Sequence, residues 1–117
     1  MIVTYPWMPK QLNPNSRVHY QVYNKYFQDY KQAVWALTKE ANLPTICGDR
    51  IWLEITFYKP DRRRRDLDNC LSAFKAGLDG ISLATGIDDS KFALAIDIAD
   101  PIGGYVKVNF NYKGINK

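Results

Sequence analysis

The sequence contains few of the side chains that bind transition metals or form disulfides. It has two cysteines, Cys47 and Cys70, and one histidine, His19, among 117 residues. A structural zinc site usually takes four Cys or His ligands, so this class of site is not expected. The two cysteines also lack the C-x-x-C spacing of redox motifs. Cys70 falls within a helical pattern, which predicts a small buried side chain.

Long apolar runs are missing as well. No stretch approaches the roughly 20 residues that span a bilayer, and the chain does not begin with a basic leader followed by an apolar segment. We therefore expect no membrane partner and a cytoplasmic location. With 117 residues, of which 46% are hydrophobic and 14% aromatic, the chain is long enough for one core and one domain over residues 1–117.

The positive charge is concentrated in one place. The segment "KPDRRRR" (residues 59–65) holds five cations and one carboxylate, so its formal charge equals the +4 of the whole chain. The remainder of the sequence is nearly balanced. Such a focused patch is typical of a surface that binds phosphate or another anion.

The first half of the chain predicts a strand, a loop and a helix. Residues 1–7 form the strand, and "MPKQLNPNSRVHY" has the proline and asparagine content of a loop. The helix is predicted over 17–42, with Ser16 as its cap and its end before Pro44. Its apolar residues recur at spacings of three and four: Tyr23, Tyr26, Phe27, Tyr30, Ala33, Val34, Leu37 and Ala41.

The second half predicts three strands and one helix. Residues 51–58 alternate clearly between apolar and polar faces, with Trp52 on the side opposite to Ile51 and Ile55. A helix follows over 68–84 and is closed by Gly86. Alternation returns over 92–98 and 105–112, and "DPIGG" between them predicts a hairpin loop. The order βαβαββ predicts an α+β fold, a small mixed sheet with two helices packed on one face.

Two pairs of aspartates are the candidate ligands for a metal ion. Asp66 and Asp68 lie between a strand and a helix, and if residue 66 is extended, both side chains point to the same side. Mg²⁺ prefers oxygen ligands and keeps several waters, so two or three carboxylates suffice, and Mn²⁺ accepts the same ligands. Asp88 and Asp89, in the turn after the second helix, would join them if the next strand brings that turn back to the site.

Phosphate contacts are expected beside these carboxylates. Arginine and lysine hold phosphate oxygens by charge-assisted hydrogen bonds, and asparagines in a loop suit backbone contacts. The candidates for contact with nucleic acid are Lys59, Arg62, Arg63, Arg64, Arg65, Asn13, Asn15 and Arg17. A divalent cation next to them would help to cleave a phosphodiester by in-line displacement.

Each of these features also has a structural interpretation. Asp68 would serve as a helix cap, the pair Asp88 and Asp89 has ordinary turn composition, and an arginine run is commonly a solvated face. Three hypotheses therefore stay open from the residues alone. They are metal-dependent cleavage of nucleic acid, a non-catalytic nucleic-acid-binding module that uses Arg62–Arg65, and an interaction domain for an acidic protein.

The stretch "PDRRRRDLDN", with "GIDDSKF" downstream, resembles the RusA family of Holliday junction resolvases. The opening "YPWMPKQLNPNSR" is similar to the start of that family, so the resemblance covers nearly the whole chain. It implies a Mg²⁺-dependent endodeoxyribonuclease of a bacterium, phage or prophage that acts in DNA recombination and repair. The implied partners are branched DNA, in the form of a four-way junction, and a second copy of the chain. A homodimer would provide one site for each of two symmetric nicks.

The resemblance also implies roles for individual residues. Asp66, Asp68 and Asp89 would hold the catalytic metal, with Asp88 as a neighbouring candidate, and Asn69 of the motif would contact DNA. The family often has a lysine four residues after the second aspartate of D-x-D, where this chain has Ser72. Lys75 lies on the same polar stripe of the predicted helix and is the catalytic candidate in its place; a surface pair with Asp79 is its structural alternative.

Overall fold

The structure is a computed structural model that describes residues 1–44 and 50–111. Four strands and three helices form an α+β fold, as predicted. Two short 3₁₀ turns, Lys10–Leu12 and Asp89–Lys91, lie between them. In chain order the main elements are β1 (Ile2–Pro6), α1 (Tyr20–Glu40), β2 (Ile51–Tyr58), α2 (Leu67–Ala73), α3 (Lys75–Thr85), β3 (Phe92–Ile98) and β4 (Tyr105–Asn111).

The strands form one mixed sheet in the order β1-β4-β2-β3. Strand β4 is antiparallel to both of its neighbours, whereas β2 and β3 are parallel. In the middle of the sheet Ile55 lies opposite Val108 on one side and Ile96 on the other. Because β1 and β2 are both antiparallel to β4, their C-terminal ends lie at the same end of the sheet.

The helices cover one face of the sheet, and the alternation of residues 51–58 is confirmed. The side chains of Ile51, Leu53, Ile55 and Phe57 are 0–1% exposed, and they pack with residues of the helices into a single core. On the opposite face Trp52 is 45% exposed. An antiparallel or mixed sheet with one solvated face shows this division of apolar and polar positions.

The predicted second helix is interrupted at Phe74, which separates α2 from α3. The Phe74 backbone N–H donates to the carbonyls of both Cys70 and Leu71, which tightens the last turn of α2. Its ring is fully buried and makes an edge contact with Phe57, with the ring centroids 6.0 Å apart. The helical conformation is interrupted at the residue whose ring enters the core.

The start of α1 differs from the prediction. Ser16 does not cap it; the helix begins at Tyr20 with His19 as the N-cap, and His19 Nδ1 accepts a hydrogen bond of 3.2 Å from the backbone N–H of Gln21. A residue at this position satisfies one of the backbone N–H groups that the first turn leaves without a partner. The single histidine therefore has a structural role. The helix ends before Pro44, as predicted.

The predicted hairpin between the last two strands is wrong. Strand β2 lies between β3 and β4, so "DPIGG" crosses the end of β2 instead of joining neighbouring strands. Along this crossing the backbone N–H of Gly103 donates to the Lys59 carbonyl at 2.9 Å, and that of Gly104 donates to the Tyr58 carbonyl at 2.8 Å. These bonds support the first residues of the arginine-containing loop.

Several smaller predictions can be compared with the structure. Cys70 is a buried free thiol, and Gly86 ends α3 with φ 75°, so both predictions are confirmed. Cys47 and Tyr112 lie outside the described residues. In the described part of the chain, no helix combines the length and apolar character that crossing a bilayer requires.

Candidate nucleic-acid interface

Two loops meet at the end of the sheet that holds the C-terminal ends of β1 and β2. Pro6 and Tyr58, the last residues of these strands, both pair with Tyr105 of β4. The segment after β1 and the segment after β2 therefore lie side by side and enclose a cleft of about 760 Å³. The cleft is lined by Trp7, Met8, Pro9, Lys10, Asn13, Asn15, Pro60, Arg63, Arg64, Arg65, Asp66, Asn69, Cys70 and Ala73.

Asp61 organises the arginine run. Its Oδ1 accepts hydrogen bonds from Arg65 Nη1 at 2.7 Å and from the backbone N–H of Arg63 at 2.9 Å, and its Oδ2 accepts one from Arg65 Nη2 at 3.2 Å. The guanidinium of Arg65 also lies 5.5 Å from the centre of the Trp7 ring. Bidentate contact and stacking of this kind fix the orientation of an arginine. Arg65 thus joins the two loops.

The same contacts keep Asp61 ionised. The hydrogen bond from Arg65, followed by that from the backbone of Arg63, lowers the pKa of Asp61 to about 2 from 3.8. A carboxyl whose pKa is depressed in the folded state contributes stability above its unfolded pKa, and this contribution is lost as the pH falls through the folded value. The contacts of Asp61 therefore persist at neutral pH and weaken only in strong acid.

The other arginines of the run remain available to a ligand. Arg62 and Arg64 are exposed, and the Arg63 side chain is 84% exposed, with only a long 3.8 Å approach of its Nε to Asp61. Within residues 1–44 and 50–111, Asp61 is the sole carboxylate in a salt bridge with the run. The repulsion among four adjacent arginines is thus relieved at one position only.

Asp66 and Asp68 are exposed at the start of α2. Asp66, not Asp68, occupies the N-cap position, with extended backbone (φ −80°, ψ 140°) but without a capping hydrogen bond from its side chain. Asp68 lies in the first turn, where its Oδ1 accepts a hydrogen bond from the backbone N–H of Asn69 at 3.0 Å. The condition that residue 66 is extended is met, and neither carboxylate is held by an arginine.

Asp88, Asp89 and Lys75 lie elsewhere. Asp89 and Lys75 line a second cleft of about 390 Å³ together with Asp79, Phe27, Leu78, Phe92 and Leu94. Burial, and then the charge of Asp89, raises the pKa of Asp79, while Lys31 lowers it. Asp88 is exposed, and its Oδ2 accepts a hydrogen bond of 2.8 Å from Ser90 Oγ. The described residues contain no ion pair between Lys75 and Asp79.

The direction of β3 explains this separation. Because β3 is parallel to β2, its first residue, Phe92, pairs with Ile51 at the start of β2, whereas Asp66 follows the end of β2. An eight-residue strand is roughly 23 Å long at 3.3 Å per residue. Among the residues that the structure describes, no three His, Cys, Asp or Glu side chains converge to hold a metal ion. One chain therefore does not form the predicted convergence of Asp66, Asp68 and Asp89.

The predicted nucleic-acid contacts fall into two groups. Asn13, Asn15 and Asn69 line the cleft with Arg63, Arg64 and Arg65, whereas Lys59, Arg62 and Arg17 are outside its lining. Sequence analysis did not select Trp7, Met8 or Lys10 as part of the interface. The sequence offered only the position of "WMPK" at the end of the first strand; that this segment meets the arginine loop follows from β1 and β2 both pairing antiparallel with β4.

The chain was compared with known proteins in sequence and structure. It is 34% identical over 118 residues to an uncharacterized protein of Xylella fastidiosa (strain Temecula1 / ATCC 700964), in an alignment that covers 98% of this chain and 77% of that protein. The chain belongs to the family of that protein. It matches no protein-family profile.

A structural likeness was also found to the CDP complex of IspF from Plasmodium falciparum. It covers 77% of this chain and 51% of that protein, so the chain spans about half the length of IspF, with a TM-score of 0.33 and 9% sequence identity. A likeness at this level supports no conclusion about function.

Proposed function

We propose that the protein is a metal-dependent, structure-selective endodeoxyribonuclease of the RusA type that resolves four-way DNA junctions by paired symmetric nicks. The main support is the cleft, in which a cationic loop and an asparagine-containing loop from distant parts of the chain meet beside an exposed carboxylate. Cations and amides of this kind commonly contact a phosphate backbone irrespective of sequence. The proposed setting is the cytoplasm of a bacterial cell, including one that carries a phage or prophage.

Asp66 and Asp68 fit a hydrated Mg²⁺ ion, because both are exposed and neither is held by an arginine. Magnesium sites often use one or two carboxylates, several waters and a substrate phosphate, and Mn²⁺ would accept the same oxygens. A divalent cation held there would neutralise charge that develops on the phosphodiester during in-line displacement. Arg63 and Arg64 would hold the phosphates on either side of the scissile bond.

A homodimer would place two such sites on one junction. The uncovered face of the sheet offers a surface for the second copy, since Trp52 is 45% and Ile2 is 61% exposed there. Aromatic residues are enriched at protein interfaces, and two-fold symmetry would relate the two nicks.

A non-catalytic nucleic-acid-binding module is the second candidate. It is favoured by the position of Asp89, which lies in a separate cleft and leaves Asp66 and Asp68 without a third carboxylate in the described part of the chain. In this alternative Arg62–Arg65 bind the backbone and the two aspartates have no chemical role.

Cleavage of synthetic DNA decides between the two candidates. The protein is incubated with a labelled four-way junction and a linear duplex of the same arm sequence, with Mg²⁺, with Mn²⁺ or with EDTA. We expect metal-dependent nicks at symmetric positions of the junction and little cleavage of the duplex. If the junction is bound but stays intact under all conditions, the protein is a binding module. Binding to both DNAs should weaken steeply as salt rises.

The Asp61→Asn variant tests whether the arginine run must be held in place. Charge alone predicts tighter DNA binding, because the substitution removes a negative charge from the loop. We expect the opposite, a loss of roughly tenfold in affinity, because asparagine keeps only one acceptor oxygen and no charge, so the bidentate, charge-assisted contact with Arg65 is lost. Fluorescence anisotropy at constant salt measures the effect. The matched control is Asp29→Asn, because Asp29 is an exposed residue of α1. If the Asp61 variant binds DNA as tightly as this control, Asp61 does not position the arginine run.

A further inference from the structure

Part of the cleft lining is apolar, which a site for phosphates alone would not require. The apolar floor of the cleft consists of Trp7, Met8, Pro9, Cys70 and Ala73; Met8 and Cys70 are each only 4% exposed, so the half-buried Trp7 and Pro9 offer most of its surface. A phosphodiester backbone is charged and well hydrated, so it gains nothing from contact with such a surface. Apolar floors with a few polar groups at their edges are typical of sites for flat organic ligands.

The polar groups at the rim match the edge of a nucleobase. Asn13, Asn15 and Asn69 each present an amide, and an amide can both donate to and accept from a base edge. Within the described residues the side chain of Asn69 makes no hydrogen bond, although the residue is half-buried. A half-buried amide without a partner suits a group whose partner is a ligand.

The cations and the stacked pair complete the site. Arg63, Arg64 and Lys10 stand beside the apolar floor, where they can hold the phosphates of the nucleotide. Arg65 and Trp7 both line the cleft, with the guanidinium 5.5 Å from the centre of the indole ring, and bases stack on both kinds of group irrespective of sequence. The cleft volume of about 760 Å³ lies within the usual range for small-ligand sites.

We propose that this cleft binds a single unpaired nucleobase of a branched or distorted DNA, with the base on the apolar floor and its edge at the asparagine amides. The inference depends on the proposed function, because it names the part of the DNA that the same surface recognises. A base within a duplex is stacked and paired, and its rings cannot reach the floor. At a branch point the continuous base stack is interrupted, and extrusion of a base costs the least where stacking or pairing is already weakened.

Three DNA duplexes of identical sequence test the proposal in a buffer with EDTA, so that no cleavage occurs. The first is fully paired, the second has one bulged adenosine, and the third has an abasic residue in the bulge. The two bulges have the same extra sugar and phosphate and differ in the presence of the base. We expect the base-containing bulge to bind about tenfold tighter than both other duplexes, the size of effect that one stacked base produces.

Variants identify the cleft as the place of contact. Asn69→Ala and Asn15→Ala should each reduce the affinity for the base-containing bulge severalfold more than the affinity for the paired duplex. Asn24→Ala, on the exposed side of α1, should change neither. A preference that survives in both cleft variants refutes the proposal, because the base is then bound elsewhere.

The failure of this inference can be distinguished from failure of the proposed function. Equal affinity for all three duplexes with a steep salt dependence means that the surface binds only the backbone; the inference is then wrong and DNA binding stands. If neither these duplexes nor the four-way junction binds at low salt, the proposed function is wrong as well.

Discussion

The Asp68→Asn variant is expected to lose junction cleavage by about a hundredfold or more, the effect of removing one electrostatic contribution to a transition state. Junction binding should be unchanged or slightly tighter, because the substitution removes a negative charge beside the cleft. Asp68 is exposed and makes no contact with the core, so the fold should be preserved. Nicking rates and anisotropy on the same junction measure both quantities, and circular dichroism confirms folding. A variant that cleaves at the normal rate would show that Asp68 holds no catalytic metal.

The Asp89→Asn variant tests whether Asp89 takes part in cleavage, as the family resemblance implies, or not, as its position in a single chain implies. Asp89 lines the second cleft with Lys75 and Asp79, and from this position we expect its loss to leave cleavage within a few-fold of normal. The resemblance instead implies a loss as large as that of Asp68→Asn. If the large loss is observed, Asp89 joins the metal site in the DNA-bound assembly, by rearrangement or from a second copy. Asp29→Asn is again the control for the change of charge.

The Gly80→Ala variant is expected to lower the free energy of unfolding by about 3 kcal/mol, the upper part of the usual range for overpacking. A Cβ at Gly80 would lie 2.5 Å from the Lys31 carbonyl oxygen and 3.1 Å from the Trp35 backbone nitrogen. These are backbone atoms of α1, so they cannot move aside as a flexible side chain would. The absence of a side chain at Gly80 allows α1 and α3 to approach closely at this point.

Urea unfolding at neutral pH measures this effect as a change of midpoint at constant slope. Leu83→Ala is the matched control, because it lies on the same helix and its side chain is 58% exposed; a surface substitution usually stays within about 0.5 kcal/mol. If Gly80→Ala is as stable as this control, the helices do not pack as closely as the structure shows.

Local patterns predicted the elements well. Alternation identified residues 51–58 as a strand and placed Ile51 and Trp52 on opposite faces, because successive side chains in a strand point to opposite sides. Spacings of three and four identified the apolar stripe of the first helix. The larger errors lie where a distant residue decides the outcome. Phe74 interrupts the second helix because its ring enters a core built by other elements. The cap of the first helix is a local error, because His19 replaces Ser16 through a hydrogen bond with Gln21.

The order of the strands could not be predicted from local pattern. The turn chemistry of "DPIGG" favoured a hairpin, but β4 pairs with β1 and β2, and β3 lies on the other side of β2. Pairing between strands joins residues far apart in the chain, and alternation along each strand is compatible with several neighbours. The expected meeting of Asp88 and Asp89 with Asp66 fails for a separate reason: β3 does return beside β2, but parallel to it, and so begins at the opposite end of the sheet.

The sequence by itself determined the α+β class, the amphipathic faces, and the concentration of charge in residues 59–65, since these depend on composition and on neighbours within a few residues. Only the tertiary structure decided which of the charged and amide side chains share a cleft. Strand order and direction place the loops after β1 and β2 at one end of the sheet and the turn before β3 at the opposite end. The physical reason is that this order depends on packing and hydrogen bonds between distant residues, which no local period encodes.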